Sequence, residues 1–163
     1  MGPRGAGKTS LAPLLANALA CPLFDLDSLV EELLGEPLSQ FIPRAGLQAF
    51  RRLELQTMQQ LLGGESYVLA CGAGLVETKQ ARRSLEGFFD HRIWLDIAPA
   101  KQSSRLNESP RPRLHPELNF DQEQQVLDAR RRPLYQQLAT VHLNADEPLG
   151  AVLKNCLAAL ESS

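Results

Sequence analysis

At 163 residues, 44% hydrophobic and 22% charged, the chain can build one sizeable core and has the composition of an ordinary globular protein. A net charge of −2 excludes a broad basic field for nucleic acid or an anionic membrane; the arginines cluster locally instead, which suits a small anionic ligand. No apolar run approaches the ~20 residues that span a bilayer, and Cys21, Cys71 and Cys156 lack metal-ligand spacing and suit reduced cytoplasmic thiols.

The chain opens on a phosphate-binding pattern. Gly2-Pro3-Arg4-Gly5-Ala6-Gly7-Lys8-Thr9 is a complete G-x-x-x-x-G-K-[ST] loop, followed by Ser10. Its glycines let successive N–H groups turn inward on an anion, and a helix starting near Gly7 adds its positive end. Lys8 can reach β- and γ-phosphates, and the Thr9 hydroxyl can bind Mg²⁺. Such a loop normally follows a buried parallel strand. Only Met1 stands before Gly2, so we expect a first strand that is missing or truncated. The helix should run to about residue 20, kinked or loosened at Pro13.

A short strand over 22–25 ends in Asp25-Leu26-Asp27. Carboxylates at the carboxyl end of a parallel strand face the ligand crevice. One can serve a metal and the other a substrate hydroxyl; capping of the following helix by Asp27 is the alternative, and the phosphate loop upstream favours the functional role. Helices are expected over 28–34 and 38–44. A longer one over 46–62, with Phe50, Leu53, Met58 and Leu61 on its apolar side, is stopped by Gly63-Gly64. On it, Arg51 and Glu54 share a face and can pair, either as a surface ion pair or as a guanidinium aimed at a carboxylate. Arg52 points elsewhere, toward solvent.

A strand over 67–70 leads into Cys71-Gly72-Ala73-Gly74, where small residues allow close approach of backbone to ligand. Thr78 can cap a helix over 78–86. Then come a strand over 92–95, a helix over 99–106, and a proline-rich stretch over 107–119 that reads as a mobile loop carrying Arg111-Pro112-Arg113. A long helix over 121–138 should bend at Pro133. Of Arg130-Arg131-Arg132, one is expected to face a site and the others solvent. A strand over 140–143 and a helix over 149–160 close the chain. His91, His115 and His142 share no metal or triad spacing. The alternation of short apolar runs with amphipathic ones predicts an α/β fold with a parallel sheet, in one domain over 1–163.

Taken in order, the phosphate loop, Phe24-Asp25-Leu26-Asp27, Gly46 with Phe50-Arg51-Arg52-Leu53-Glu54, Gly72-Ala73-Gly74-Leu75-Val76, Arg111-Pro112 and Arg131-Arg132-Pro133-Leu134-Tyr135 resemble the motifs of the shikimate kinases over nearly the whole chain. The resemblance implies a three-layer P-loop kinase fold, a five-stranded parallel sheet flanked by helices. It implies a core over 1–27 and 64–163, substrate-binding helices at about 28–62 and a lid at about 107–119. It also implies ATP- and Mg²⁺-dependent phosphorylation of the shikimate 3-hydroxyl, by a cytoplasmic monomer, on the chorismate route to aromatic amino acids. Under it, Gly2, Pro3, Arg4, Gly5, Ala6, Gly7, Lys8, Thr9, Ser10 and Arg111 bind ATP, and Thr9 and Asp25 serve the metal. Asp27, Arg51, Gly72, Ala73, Gly74 and Arg131 hold shikimate; Lys8, Asp27 and Arg111 are catalytic; residues 144–148 lie by the adenine. Ala73 replaces the family's central glycine, a strained position if φ is positive there. A ligand-sensing domain without turnover, and a P-loop kinase for another small hydroxy acid, are the alternative expectations.

Overall fold

The computed structural model describes residues 1–61, 65–106 and 117–162. Helix α1 (Lys8–Ala18) starts from Gly7, whose φ of 87° is open to glycine at little cost, and buries Leu11, Ala12, Leu15 and Ala16. It runs through Pro13 without interruption, as does the long helix α7 (Phe120–Leu138) through Pro133. Both prolines lie on exposed faces. The carbonyls they leave without an N–H donor, those of Thr9 and Ala129, therefore sit on the side where water can serve them. Neither helix is interrupted; each proline removes one rung of the ladder.

Strand β1 (Leu23–Asp25) pairs in parallel with β2 (Val68–Ala70), and β3 (Ile93–Asp96) with β4 (Val141–Asn144). The expected five-stranded sheet is thus two parallel pairs among the described residues. Met1 stands beside the second pair: its nitrogen donates to the Ile93 carbonyl at 2.7 Å, and its own carbonyl accepts from Leu95 N–H at 3.0 Å. Those are the two bonds of a parallel strand, made by a single residue.

Alternation along β3 and β4 builds the layers. Leu95, Val141 and Leu143 pack with Leu11 and Leu15 of α1 and with Val152 and Cys156 of α8 (Leu149–Glu161). Trp94 faces the other way, into a core with Met58, Leu75, Leu85, Tyr135 and Leu138. That second core draws on α4 (Leu47–Gln60), a 3₁₀ turn at Leu75–Glu77, α5 (Lys79–Phe88) and α7. Helices α2 (Leu26–Leu34), α3 (Leu38–Ala45) and α4 form a satellite around Val30, Phe41 and Phe50. Helix α6 (Pro99–Leu106) packs on α7, which opens with a capping box between Asn119 and Gln122.

Asp25, not Asp27, caps α2, accepting the Ser28 N–H at 3.2 Å; Asp27 falls in the first turn. Thr78 occupies the N-cap of α5 without a side-chain cap bond. Helix α4 buries Glu54 and Thr57 beside Phe50 and Met58, while Leu53 and Leu61 are only partly buried. The Gly63-Gly64 stop and positions 107–116 of the lid lie outside the described residues. No described helix is long and apolar enough to cross a membrane.

Candidate active site

A cavity of about 820 Å³ opens where the carboxyl ends of β1 and β2 meet the N-terminus of α1. Arg4 through Ser10, Asp25, Asp27, Arg51, Gly72, Ala73, Gly74 and Arg131 all line it. Gly2 and Pro3 do not; their carbonyls accept Lys8 Nζ, at 2.7 Å each, behind the loop. Gly2 is fixed twice over, by a φ of 146° and by the Leu95 carbonyl, 2.6 Å from where a Cβ would stand. The first turn of α1 presents N–H groups and a positive dipole end to this space. Arg111 lies outside the described residues.

Two pairs of side chains converge on the backbone of Gly72 and Gly74. A Cβ on Gly74 would lie 1.7 Å from Arg51 Nη2 and 3.0 Å from Arg131 Nη2. A Cβ on Gly72 would lie 2.6 Å from Glu54 Oε1 and 2.8 Å from Asp27 Oδ1. These glycines are needed for space. Gly74 has a φ of −97°, and Ala73 is not among the positive-φ residues, so the alanine there is unstrained. Gly74→Ala should displace both guanidinium groups and raise the Michaelis constant for a carboxylate substrate at least about tenfold, some 1.4 kcal/mol. Steady-state kinetics against each substrate separately would check this.

Arg51 Nη1 donates to Glu54 Oε2 at 2.5 Å, and Glu54 is fully buried, so the pair is interior and not a solvated surface bridge. Burial lifts the Glu54 carboxyl to about 7, against the pull of Arg51. Because the folded state then holds this proton more tightly than the unfolded chain, the stability it contributes is complete below about 4.5 and is lost as pH rises through about 7. The difference in unfolding free energy between wild type and Glu54→Gln should therefore change by about 3 kcal/mol between pH 4.5 and 8. Denaturant titrations of both proteins across that range would measure it.

Arg131 is 3% exposed. Its Nε lies 3.3 Å from Glu77 Oε1, and Glu77 also takes Arg130. Burial works to raise the Glu77 carboxyl, but the two guanidinium groups outweigh it and hold the group below its ordinary range. Tyr135 Oη donates to the Ala73 carbonyl at 2.5 Å and stacks against Trp94, tying the glycine turn to α7. Arg132 bonds Asp96 and Asp128 and lies over Trp94. Only Arg131 of the three lines the cavity, as expected; Arg130 is exposed while paired with Glu77, and Arg132 is half-buried between Asp96 and Asp128, not simply solvated. Arg52 is exposed, and His91 and His142 lie away from the cavity, His142 stacked on Trp94.

Glu77 and Arg105 are marked by no sequence motif, and the contact of Tyr135 with Ala73 by no local spacing. Arg105 donates to the carbonyls of Gly5 and Ala145, bridging the phosphate loop and the segment at 144–148, and it lines the cavity with Glu147. Thr9 and Asp25 are hard oxygen donors that both line the cavity. One Asp25 oxygen takes the Ser28 N–H; the other has no protein donor among the described residues. No group of three or more His, Cys, Asp or Glu fit to hold a metal occurs among the described residues. That donor set suits a cation that completes its shell with phosphate oxygens and water.

A model of the shikimate kinase family matches residues 4–161. The chain belongs to the shikimate kinase family. Among curated shikimate kinases, that of Rhodococcus jostii (strain RHA1) is 32% identical over 146 residues, covering 90% of this chain and 86% of the relative. The shikimate kinase of Actinobacillus succinogenes is 32% identical over 158 residues, covering 95% of this chain and 89% of the relative. A solved shikimate kinase from Acinetobacter baumannii, in complex with shikimate, superposes with a TM-score of 0.91 at 26% identity. It covers 99% of this chain and 90% of that one. The P-loop kinase fold expected of the family is the fold observed.

Proposed function

We propose that this chain is an ATP-dependent shikimate kinase that phosphorylates the 3-hydroxyl of shikimate on the route to aromatic amino acids. The observation that carries the reading is the meeting of Arg51 and Arg131 at Gly74, in the same cavity as the phosphate loop. A small acid with its carboxylate between two guanidinium groups would turn its hydroxyls toward Asp27 and the loop.

In this reading Lys8 and the N-terminus of α1 hold the β- and γ-phosphates, and Arg105 and residues 144–148 lie by the nucleoside. Thr9 and Asp25 would hold Mg²⁺, which when bound neutralises charge on the phosphate oxygens. Asp27 orients the 3-hydroxyl and takes its proton as the new O–P bond forms, while the bond from the γ-phosphorus to the bridging oxygen breaks and ADP leaves. Arg111, outside the described residues, supplies lid charge to the transferring group, as its sequence position implies. Glu54 and Glu77 act as positioning residues for Arg51 and Arg131. The whole chain works as one catalytic domain, a cytoplasmic monomer in which helices α2 to α4 close over the acid.

Release of ADP by the purified chain with ATP, Mg²⁺ and shikimate, followed by a coupled assay, tests the reading. Turnover with shikimate well above that with gluconate or quinate is the expected result. Binding of shikimate without ADP release would point to a sensing domain, and preference for another hydroxy acid to a different kinase.

A further inference from the structure

The large cavity also reaches the turn that follows β4. Ala145, Glu147, Leu149 and Val152 line it there, together with Arg105 of α6. The backbone of that turn is already engaged. Ala145 N–H donates to the Asp96 carbonyl at 2.6 Å, and the Ala145 carbonyl accepts Arg105 Nη2 at 3.0 Å. Asp146 N–H donates to Asn144 Oδ1 at 3.0 Å, and the Asp146 carbonyl accepts Lys101 Nζ at 2.8 Å. Pro148 has no N–H to offer, and the Asp146 carboxylate is taken by the Ala98 N–H at 3.2 Å. The Glu147 side chain differs from all of these. It is half-buried, Asn155 of α8 donates to its Oε2 at 3.0 Å, and its Oε1 has no protein donor among the described residues.

We propose that Glu147 Oε1 reads the base of the nucleotide, by accepting an N–H from the exocyclic amine of a 6-aminopurine. The proposal rests on the functional reading above for a nucleotide on the phosphate loop, and adds what selects its base. Arg105 ties this turn to the loop through the Gly5 carbonyl at 3.2 Å, so a triphosphate seated on the loop has the turn beside its nucleoside. Leu149 and Val152 offer apolar surface to a ring. A carboxylate accepts hydrogen bonds and does not donate them. It therefore favours an amine at ring position six and opposes the carbonyl oxygen that a 6-oxopurine carries there. Guanine has a second edge, with N–H groups at ring position one and on its amine, but pairing both takes two carboxylate oxygens. Asn155 already holds one of them. That same bond fixes the carboxylate before a ligand arrives, so little side-chain freedom is lost on binding.

The test uses three triphosphates that differ at ring position six: ATP with an amine, purine riboside triphosphate with a hydrogen, and ITP with an oxygen. Each is titrated with Mg²⁺ into the full chain by calorimetry, without shikimate. The unaltered chain should bind ATP at least ~10-fold more tightly than purine riboside triphosphate, the worth of one hydrogen bond to a charged group, and ITP more weakly than either. Glu147→Ala should bring ATP down to the level of purine riboside triphosphate, whose own affinity changes less than ~2-fold and so shows that the site is folded. In Glu147→Gln, Asn155 can keep the side-chain carbonyl while the amide N–H₂ stands where Oε1 stood; ITP should then bind at least ~10-fold more tightly than to the unaltered chain. A preference for ATP over purine riboside triphosphate that survives Glu147→Ala, or an equal loss for all three nucleotides, overturns the proposal. The expected pattern without phosphate transfer to shikimate supports the base reading and overturns only the kinase reading. Failure of all three nucleotides to bind overturns both.

Discussion

Lys8→Met is expected to lower turnover by about three orders of magnitude, roughly 4 kcal/mol of barrier, with shikimate affinity nearly unchanged. Methionine keeps the length and apolar stem of the side chain and removes its charge. Lys8 Nζ sits at the base of the phosphate loop, held by the carbonyls of Gly2 and Pro3. Lys8 also lines the cavity in which the β- and γ-phosphates would lie. Phosphoryl transfer asks a protein mainly to position the reactants and to neutralise charge that spreads as the bond to the leaving group breaks. A cation fixed before the substrate arrives needs no reorganisation at that moment, which is why its loss falls on turnover. Single-turnover measurements of ADP formation, paired with calorimetric titration of shikimate, separate the two effects. A loss under tenfold would remove Lys8 from the proposed chemistry.

Arg51→Ala should raise the Michaelis constant for shikimate by about 30-fold to several thousand-fold, the equivalent of roughly 2–5 kcal/mol, and change that for ATP by less than about threefold. The asymmetry follows from placement, since Arg51 meets Arg131 at Gly74 on the acid side of the cavity. Removal also strips Glu54 of its partner. A buried carboxylate left alone is costly, but this one already lies near 7 and can take up a proton instead. The folded protein should therefore survive, and thermal unfolding would verify that the kinetic loss is not a loss of fold. Arg51→Lys keeps the charge without the planar fork, and should recover only part of the affinity. Equal effects on the two substrates would sink the assignment of the acid pocket.

Much of this site was legible in the sequence because its pieces are local patterns. The phosphate loop, the aspartates after β1, the pairing of Arg51 with Glu54 and the small residues after β2 each announce themselves within a few positions. What stayed hidden depends on distance along the chain. Glu77 holds Arg131 from 54 positions away, and Tyr135 reaches Ala73 from 62; no spacing rule reports such contacts. The prolines act less sharply than interruption would: α1 and α7 run on through Pro13 and Pro133, each losing one backbone donor on an exposed face. Ala73 was open to two readings that only a backbone angle could separate. The sheet differed for a physical reason too: one residue, Met1, supplies two bonds beside β3, which cannot join four strands into one sheet.

The crowding at Gly72 and Gly74 limits how this pocket could be redesigned. Arginine and carboxylate groups press against that turn, which Tyr135 pins from behind. That side offers no room to enlarge. Accommodating a bulkier ring acid would have to begin at Ile42 and Leu47, aliphatic groups that can be trimmed while Phe50, which carries the Arg51 guanidinium over its ring, is kept. Selectivity for ring size and affinity for the carboxylate would then be adjustable separately, each through its own side chains.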